Sequence, residues 1–162
     1  LLLQCQAEVD MKRSIVPLLA VLSCAGCAQP GPRDAGPHRE VLAPDPSPLP
    51  FFSPAIRTGD LVFLSGQIGV KPGTRELVPG GTEAETAQTL EGIRSLLERI
   101  GLGMEDVVKC TVFLADIADY QRMNEVYRTF FPKDPPARST LAAGGLALGA
   151  RVEIECIAAA RR

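Results

Sequence analysis

Tryptophan is absent from the 162 residues, and the single histidine, His38, stands in a proline-rich stretch. One imidazole outside the apolar part of the chain excludes a Ser/His or Cys/His catalytic pair there and disfavours a histidine-rich metal site. A basic excess is also missing. The 17 Lys and Arg against 19 Asp and Glu leave a net charge of −2. Binding to phosphate backbones needs clustered cations, so this balance speaks against a nucleic-acid partner. The cysteines, Cys5, Cys24, Cys27, Cys110 and Cys156, include no paired C-x-x-C set of the zinc-module kind.

The first fifty residues carry an address. Residues 1–10 precede Met11 and read as an upstream extension. Residues 11–27, MKRSIVPLLAVLSCAGC, set Lys12 and Arg13 before an apolar run from Ile15 to Leu22, then Ala25-Gly26 before Cys27. That is the layout of an export signal. The run is shorter than the about 20 residues a spanning helix needs. A cysteine after small residues is similar to the bacterial lipoprotein box, so Cys27 is the expected lipidation site and Cys24 a second candidate. The expected location is periplasmic or membrane-anchored, or cytoplasmic if the signal is not used. Residues 28–50 are dominated by proline, glycine and charge and read as an extended linker. The folded domain is expected over 51–162.

Ala55 to Arg57, a turn at Thr58-Gly59-Asp60, and Leu61 to Ile68 form a hairpin pattern. A helix is expected from Thr82, with Thr82 and Glu85 as a capping box. Ala87, Leu90, Ile93, Leu97 and Ile100 form its apolar stripe and Gly101 its stop. MEDVVKCTVFLAD reads as a strand, IADYQRMNEVYRTFFP as a second helix, and ARSTLAA and RVEIECIAAA as the last strands. The order is ββαβαββ. It implies an α+β fold with one mixed sheet and both helices on one face.

Strand parity refines this. Val108, Cys110, Val112 and Leu114 alternate with Lys109, Thr111 and Phe113, while Val152, Ile154, Cys156 and Ala158 alternate with Glu153, Glu155 and Ile157. Each strand then shows one face to the helices. Cys110 and Cys156 fall on it and read as small buried hydrophobes. The other face mixes Phe113 and Ile157 with ionisable groups. It suits a subunit interface or a wet outer surface.

The stretches SGQIGV (65–70), NEVYRTFF (124–131), PPARST (135–140) and VEIECIA (152–158) together resemble the RidA family, also called YjgF or endoribonuclease L-PSP. The resemblance runs from Phe51 to the end of the chain. It implies a chorismate-mutase-like fold, a homotrimer, and sites in the clefts between subunits. It also implies hydrolysis of 2-imino acids to 2-keto acids and ammonia, with no metal or organic cofactor.

Carried over by position, Arg138 binds the substrate carboxylate and Glu153 positions the attacking water. Ser65, Gly66 and Asn124 line the site. Thr140 stands where well-studied deaminases have cysteine, and Phe52 where they have tyrosine. A guanidinium fork matches a carboxylate, but Arg138 also suits an ordinary salt bridge to Glu153 or Glu155. Three functions follow: a 2-imino acid deaminase, a non-catalytic keto-acid binder of the same fold, and a ribonuclease. The third is disfavoured by the missing histidine pair and basic surface.

Overall fold

The computed structural model describes residues 38–44 and 51–160. The export segment, Cys24, Cys27 and most of the linker lie outside the described residues. Eight elements follow in chain order: β1 Arg39–Leu42, β2 Ala55–Thr58, β3 Leu61–Ile68, α1 Gly81–Arg99, β4 Val107–Leu114, α2 Tyr120–Phe130, β5 Ala137–Ala142 and β6 Val152–Ala159. They build a six-stranded sheet ordered β1-β2-β3-β6-β4-β5. Only β4 and β5 run parallel. A parallel pair needs a crossover, and α2 provides it.

The expected order is present, with one strand added. β1 falls in the segment read as linker, pairing Arg39 with Thr58 and Leu42 with Ala55. Its four residues are too few and too exposed to show an apolar alternation. The β2–β3 turn forms as expected, Gly59 taking a left-handed φ of 58°.

Helix α1 starts differently from its expected capping box. Gly80, with φ of 115°, precedes it, and Thr82 lies inside the first turn. The Thr82 hydroxyl donates to Asp119 Oδ2 at 2.7 Å, and the Glu85 carboxylate accepts from the Arg151 backbone N–H at 2.7 Å. Both residues therefore tie α1 to the approaches of α2 and β6. The left-handed Gly80-Gly81 pair has already begun the helix before Thr82 is reached. At the other end Gly101 stops it as expected, and Leu102 N–H donates to the Leu97 carbonyl.

The core lies between the helices and one sheet face. Leu90, Ile93, Leu96 and Leu97 of α1, with Met123 and Tyr127 of α2, pack on Val62, Leu64, Val112, Leu114, Val152 and Ile154. Two irregularities change the expected parity. In β4 the partners step from Val107↔Ala158 to Lys109↔Ile157, so Val108 is an extra residue. Val107 is buried and Val108 is 45% exposed, which removes Val108 from the face of Cys110. In β3 a second bulge places Ser65 and Gly66 between Leu64↔Cys156 and Gln67↔Ile154.

Cys110 and Cys156 are register partners on the core face and form a disulfide across the sheet. Their burial follows the expected parity, but they are cross-linked rather than free. Direct pairing across antiparallel strands is what brings the sulfurs together, and it is invisible until the register is known.

Candidate functional site

Register decides which residues can meet. Arg138 and Thr140 of β5 pair with Cys110 and Val112 of β4, so they share the helix-side face. Helix α2 faces them with Tyr120, Asn124 and Tyr127, at the i, i+4, i+7 spacing of one helix stripe. The Arg138 guanidinium carbon lies 4.6 Å from the Tyr127 ring centroid and 5.7 Å from that of Tyr120. Its Nη2 donates to Tyr120 Oη at 3.3 Å. No carboxylate among the described residues pairs with it, so neither salt bridge open to Arg138 in the sequence is formed.

The phenols around Arg138 are pushed in opposite directions. A side-chain hydrogen bond with Asn124 and the adjacent Arg138 hold Tyr120 below the usual phenol range. Burial pushes Tyr127 up to about 12, against the pull of Arg138. Tyr127 Oη and Thr140 Oγ1 are buried without a hydrogen-bond partner among the described residues. Buried polar atoms normally find partners, so this corner is short of one.

Glu153 belongs to a different surface. It pairs with Ile68 on one side and Phe113 on the other, on the sheet face away from the helices. Burial, then the neighbouring Glu155, raises its pKa above the usual carboxylate value. Gly66 makes room for it: a Cβ built there would lie 2.1 Å from Glu153 Oε1. Ser65 donates from Oγ to the Ser53 carbonyl at 2.7 Å, fastening the segment that carries Phe52. Phe52 is 46% exposed beside Phe51.

The sequence-derived residues therefore separate into two groups. Arg138, Thr140 and Asn124 gather at the β5 edge on the helix side. Glu153, Gly66, Ser65 and Phe52 lie on or beside the outer face. Arg138 on β5 and Glu153 on β6 stand two strands apart, roughly 10 Å at the usual strand spacing, and on opposite faces of the sheet. One chain does not bring Arg138 and Glu153 together. Tyr120 and Tyr127 were missed from the sequence, although their spacing from Asn124 already set all three on one stripe.

Comparison with known proteins agrees with this fold. The sequence profile described as Endoribonuclease L-PSP matches residues 43–160. The chain is 41% identical over 122 residues to Reactive Intermediate Deaminase A, chloroplastic, of Arabidopsis thaliana, spanning 74% of this chain and 65% of that protein. It is 40% identical over 122 residues to the 2-iminobutanoate/2-iminopropanoate deaminase of Rattus norvegicus, spanning 74% and 89%. The crystal structure of E. coli TdcF with bound serine superposes with a TM-score of 0.69 at 31% identity, covering 75% of this chain and 99% of that one. By the profile match, the identities and the shared sheet-and-helix arrangement, the chain belongs to the endoribonuclease L-PSP family, the family also called RidA or YjgF.

Proposed function

We propose that the chain is a hydrolytic deaminase that converts reactive 2-imino acids and water to 2-keto acids and ammonia. The observation that carries this reading is Arg138. Its guanidinium is set on Tyr127 and held by Tyr120, yet no described carboxylate occupies its fork. Such a fork binds the substrate carboxylate bidentately. The relatives named above as deaminases support the reaction class.

The chemistry asks little more. A protonated imine is electrophilic, and a water held near its carbon adds readily. Glu153 takes a proton from that water as the C–O bond forms. It returns the proton to nitrogen, and as the C–N bond breaks and ammonia leaves it takes up the hydroxyl proton while the C=O bond of the keto acid forms. A carboxyl whose pKa is raised by burial suits both directions of this transfer.

Because Arg138 and Glu153 lie on opposite faces of one sheet, the working site needs two copies. We propose a homotrimer in which the Arg138 corner of one copy meets the Glu153 face of the next. The exposed Phe63, Val108 and Leu141 of the described sheet support an interface there. Sedimentation of the chain at micromolar concentration should give three times the monomer mass, and a monomer would refute it. Export through residues 11–27 with lipid on Cys27, or else Cys24, is proposed as well. The Cys110–Cys156 disulfide supports an oxidising compartment. Mass spectrometry of cell-derived protein should find a diacylglyceryl cysteine as the new amino terminus, and an intact Met11 would refute it.

The test of activity is ammonia release from freshly generated 2-iminopropanoate, over the spontaneous rate. Arg138→Ala should weaken keto-acid binding by roughly 30- to 1,000-fold, from the loss of a desolvated charge-assisted pair. Glu153→Gln should keep binding and slow release. Intact binding in Arg138→Ala would end the site assignment. Unchanged release in Glu153→Gln would remove Glu153 from the chemistry, and keto-acid binding with no release above the spontaneous rate by the unmodified chain would leave a keto-acid binder.

A further inference from the structure

We infer that Tyr120 is a ligand-contacting residue, whose phenol hydroxyl donates a hydrogen bond to the carboxylate held by Arg138. The inference rests on the carboxylate reading of Arg138 proposed above. It begins from hydrogen-bond accounting. A phenol oxygen both accepts and donates. Tyr120 Oη accepts from Arg138 Nη2 at 3.3 Å, and the Asn124 side chain beside it lowers the pKa of the phenol. A guanidinium has no acceptor to offer. The phenol oxygen thus touches the cation that would hold an anion, with its own proton left to give.

Other hydroxyls are worse placed for the task. Ser65 donates to the Ser53 carbonyl. Phe52 has none. The Tyr127 ring centroid lies 4.6 Å from the guanidinium carbon and the phenol oxygen is buried. Tyr120 alone is part-exposed and bonded at the guanidinium edge, where a carboxylate would bridge both donors. The shift of its phenol toward greater acidity, caused by Asn124 and then Arg138, makes it a stronger donor. The titratable groups near it are Arg138 and Tyr127. Asp119, the preceding residue, is engaged by Thr82, Arg151 and Arg122.

The chain itself makes the test clean. It has two tyrosines and no tryptophan. With Tyr127 pushed up to about 12, the first phenol to ionise in an alkaline absorbance titration is Tyr120. Saturating pyruvate should move that first transition to higher pH, because a proton donated to a bound carboxylate is harder to remove. Tyr120→Phe should abolish the first transition and weaken pyruvate binding by about tenfold, the effect of losing a hydrogen bond to a charged group. With 2-iminopropanoate it should raise KM and leave kcat nearly unchanged, since the carboxylate is held equally before and during reaction.

A transition that does not move with pyruvate overturns the inference, and that measurement needs no variant. Tyr120→Phe binding pyruvate as tightly as the unmodified chain also overturns it, provided Arg138→Ala binds weakly. Tight binding by Arg138→Ala would instead overturn the carboxylate reading on which the inference stands.

Discussion

Gly66→Ala is the substitution for which the geometry predicts most. The new methyl carbon would start 2.1 Å from Glu153 Oε1, 3.0 Å from its Cδ and 3.2 Å from its Cγ. Ordinary carbon contacts begin near 3.4 Å, so the carboxyl end must retreat by roughly 1 Å, a displacement that can cost about 100-fold in rate. That is about 2.7 kcal/mol of transition-state stabilisation.

The fold should hardly notice. The Gly66 backbone is not in the left-handed region, and the obstacle is the end of a flexible side chain. Turning Glu153 off its rotamer costs about 0.5–1.5 kcal/mol. Replacing glycine where alanine fits returns about 0.4–1 kcal/mol through the unfolded chain. The two nearly offset. Thermal melting should therefore stay close to that of the unmodified chain, and pyruvate affinity should change by no more than about twofold, because Arg138, which holds the carboxylate, is untouched. Ammonia release from 2-iminopropanoate should fall by about two orders of magnitude. Release at the unmodified rate would refute the role of the Gly66–Glu153 contact. A large loss of melting temperature would refute the claim that its effect is local.

Two further outcomes concern stability. Glu153 has a folded pKa raised above its ordinary 4.5, so the stability linked to its protonation is complete below that value and is lost as pH rises through the folded pKa. The amide introduced by Glu153→Gln cannot ionise, so the melting temperature of this variant should gain on the unmodified chain as pH is raised through this window, and a pH-independent difference would refute the linkage. Replacing Cys110 and Cys156 together by alanine opens a bridge across 46 residues of sequence, worth about 4 kcal/mol in the chain-entropy picture. Guanidinium denaturation should read a loss of this order, and an unchanged midpoint would refute it.

Much of this was legible in residue order, and the exceptions share a cause. Helix stripes, the Gly59 turn, the Gly101 stop and the alternation of Val152 to Ala158 are local and periodic, so they can be read directly. The bulge at Val108, the bulge at Ser65-Gly66 and the Cys110–Cys156 link are properties of pairing between distant strands. They appear only once hydrogen bonds set the register. The Thr82–Glu85 capping box failed for a related reason. Both side chains found stronger partners, Asp119 and the Arg151 amide, from segments far along the chain. Strand β1 has the composition of a linker and is a strand because β2 offers it an edge. At the site, residue types were readable but their grouping was not. Parity put Glu153 on the outer face, yet the side taken by Arg138 depended on its pairing with Cys110.

That arrangement bears on inheritance as well as chemistry. If each site draws its arginine from one copy and its glutamate from the next, a cell expressing two differently damaged alleles is not equivalent to one expressing either alone. Arg138→Ala chains still offer an intact Glu153 face, and Glu153→Gln chains an intact Arg138 corner. Random mixing of the two in a closed ring would rebuild about a quarter of the junctions from undamaged halves. Two recessive lesions in the same gene would then complement each other within one assembly.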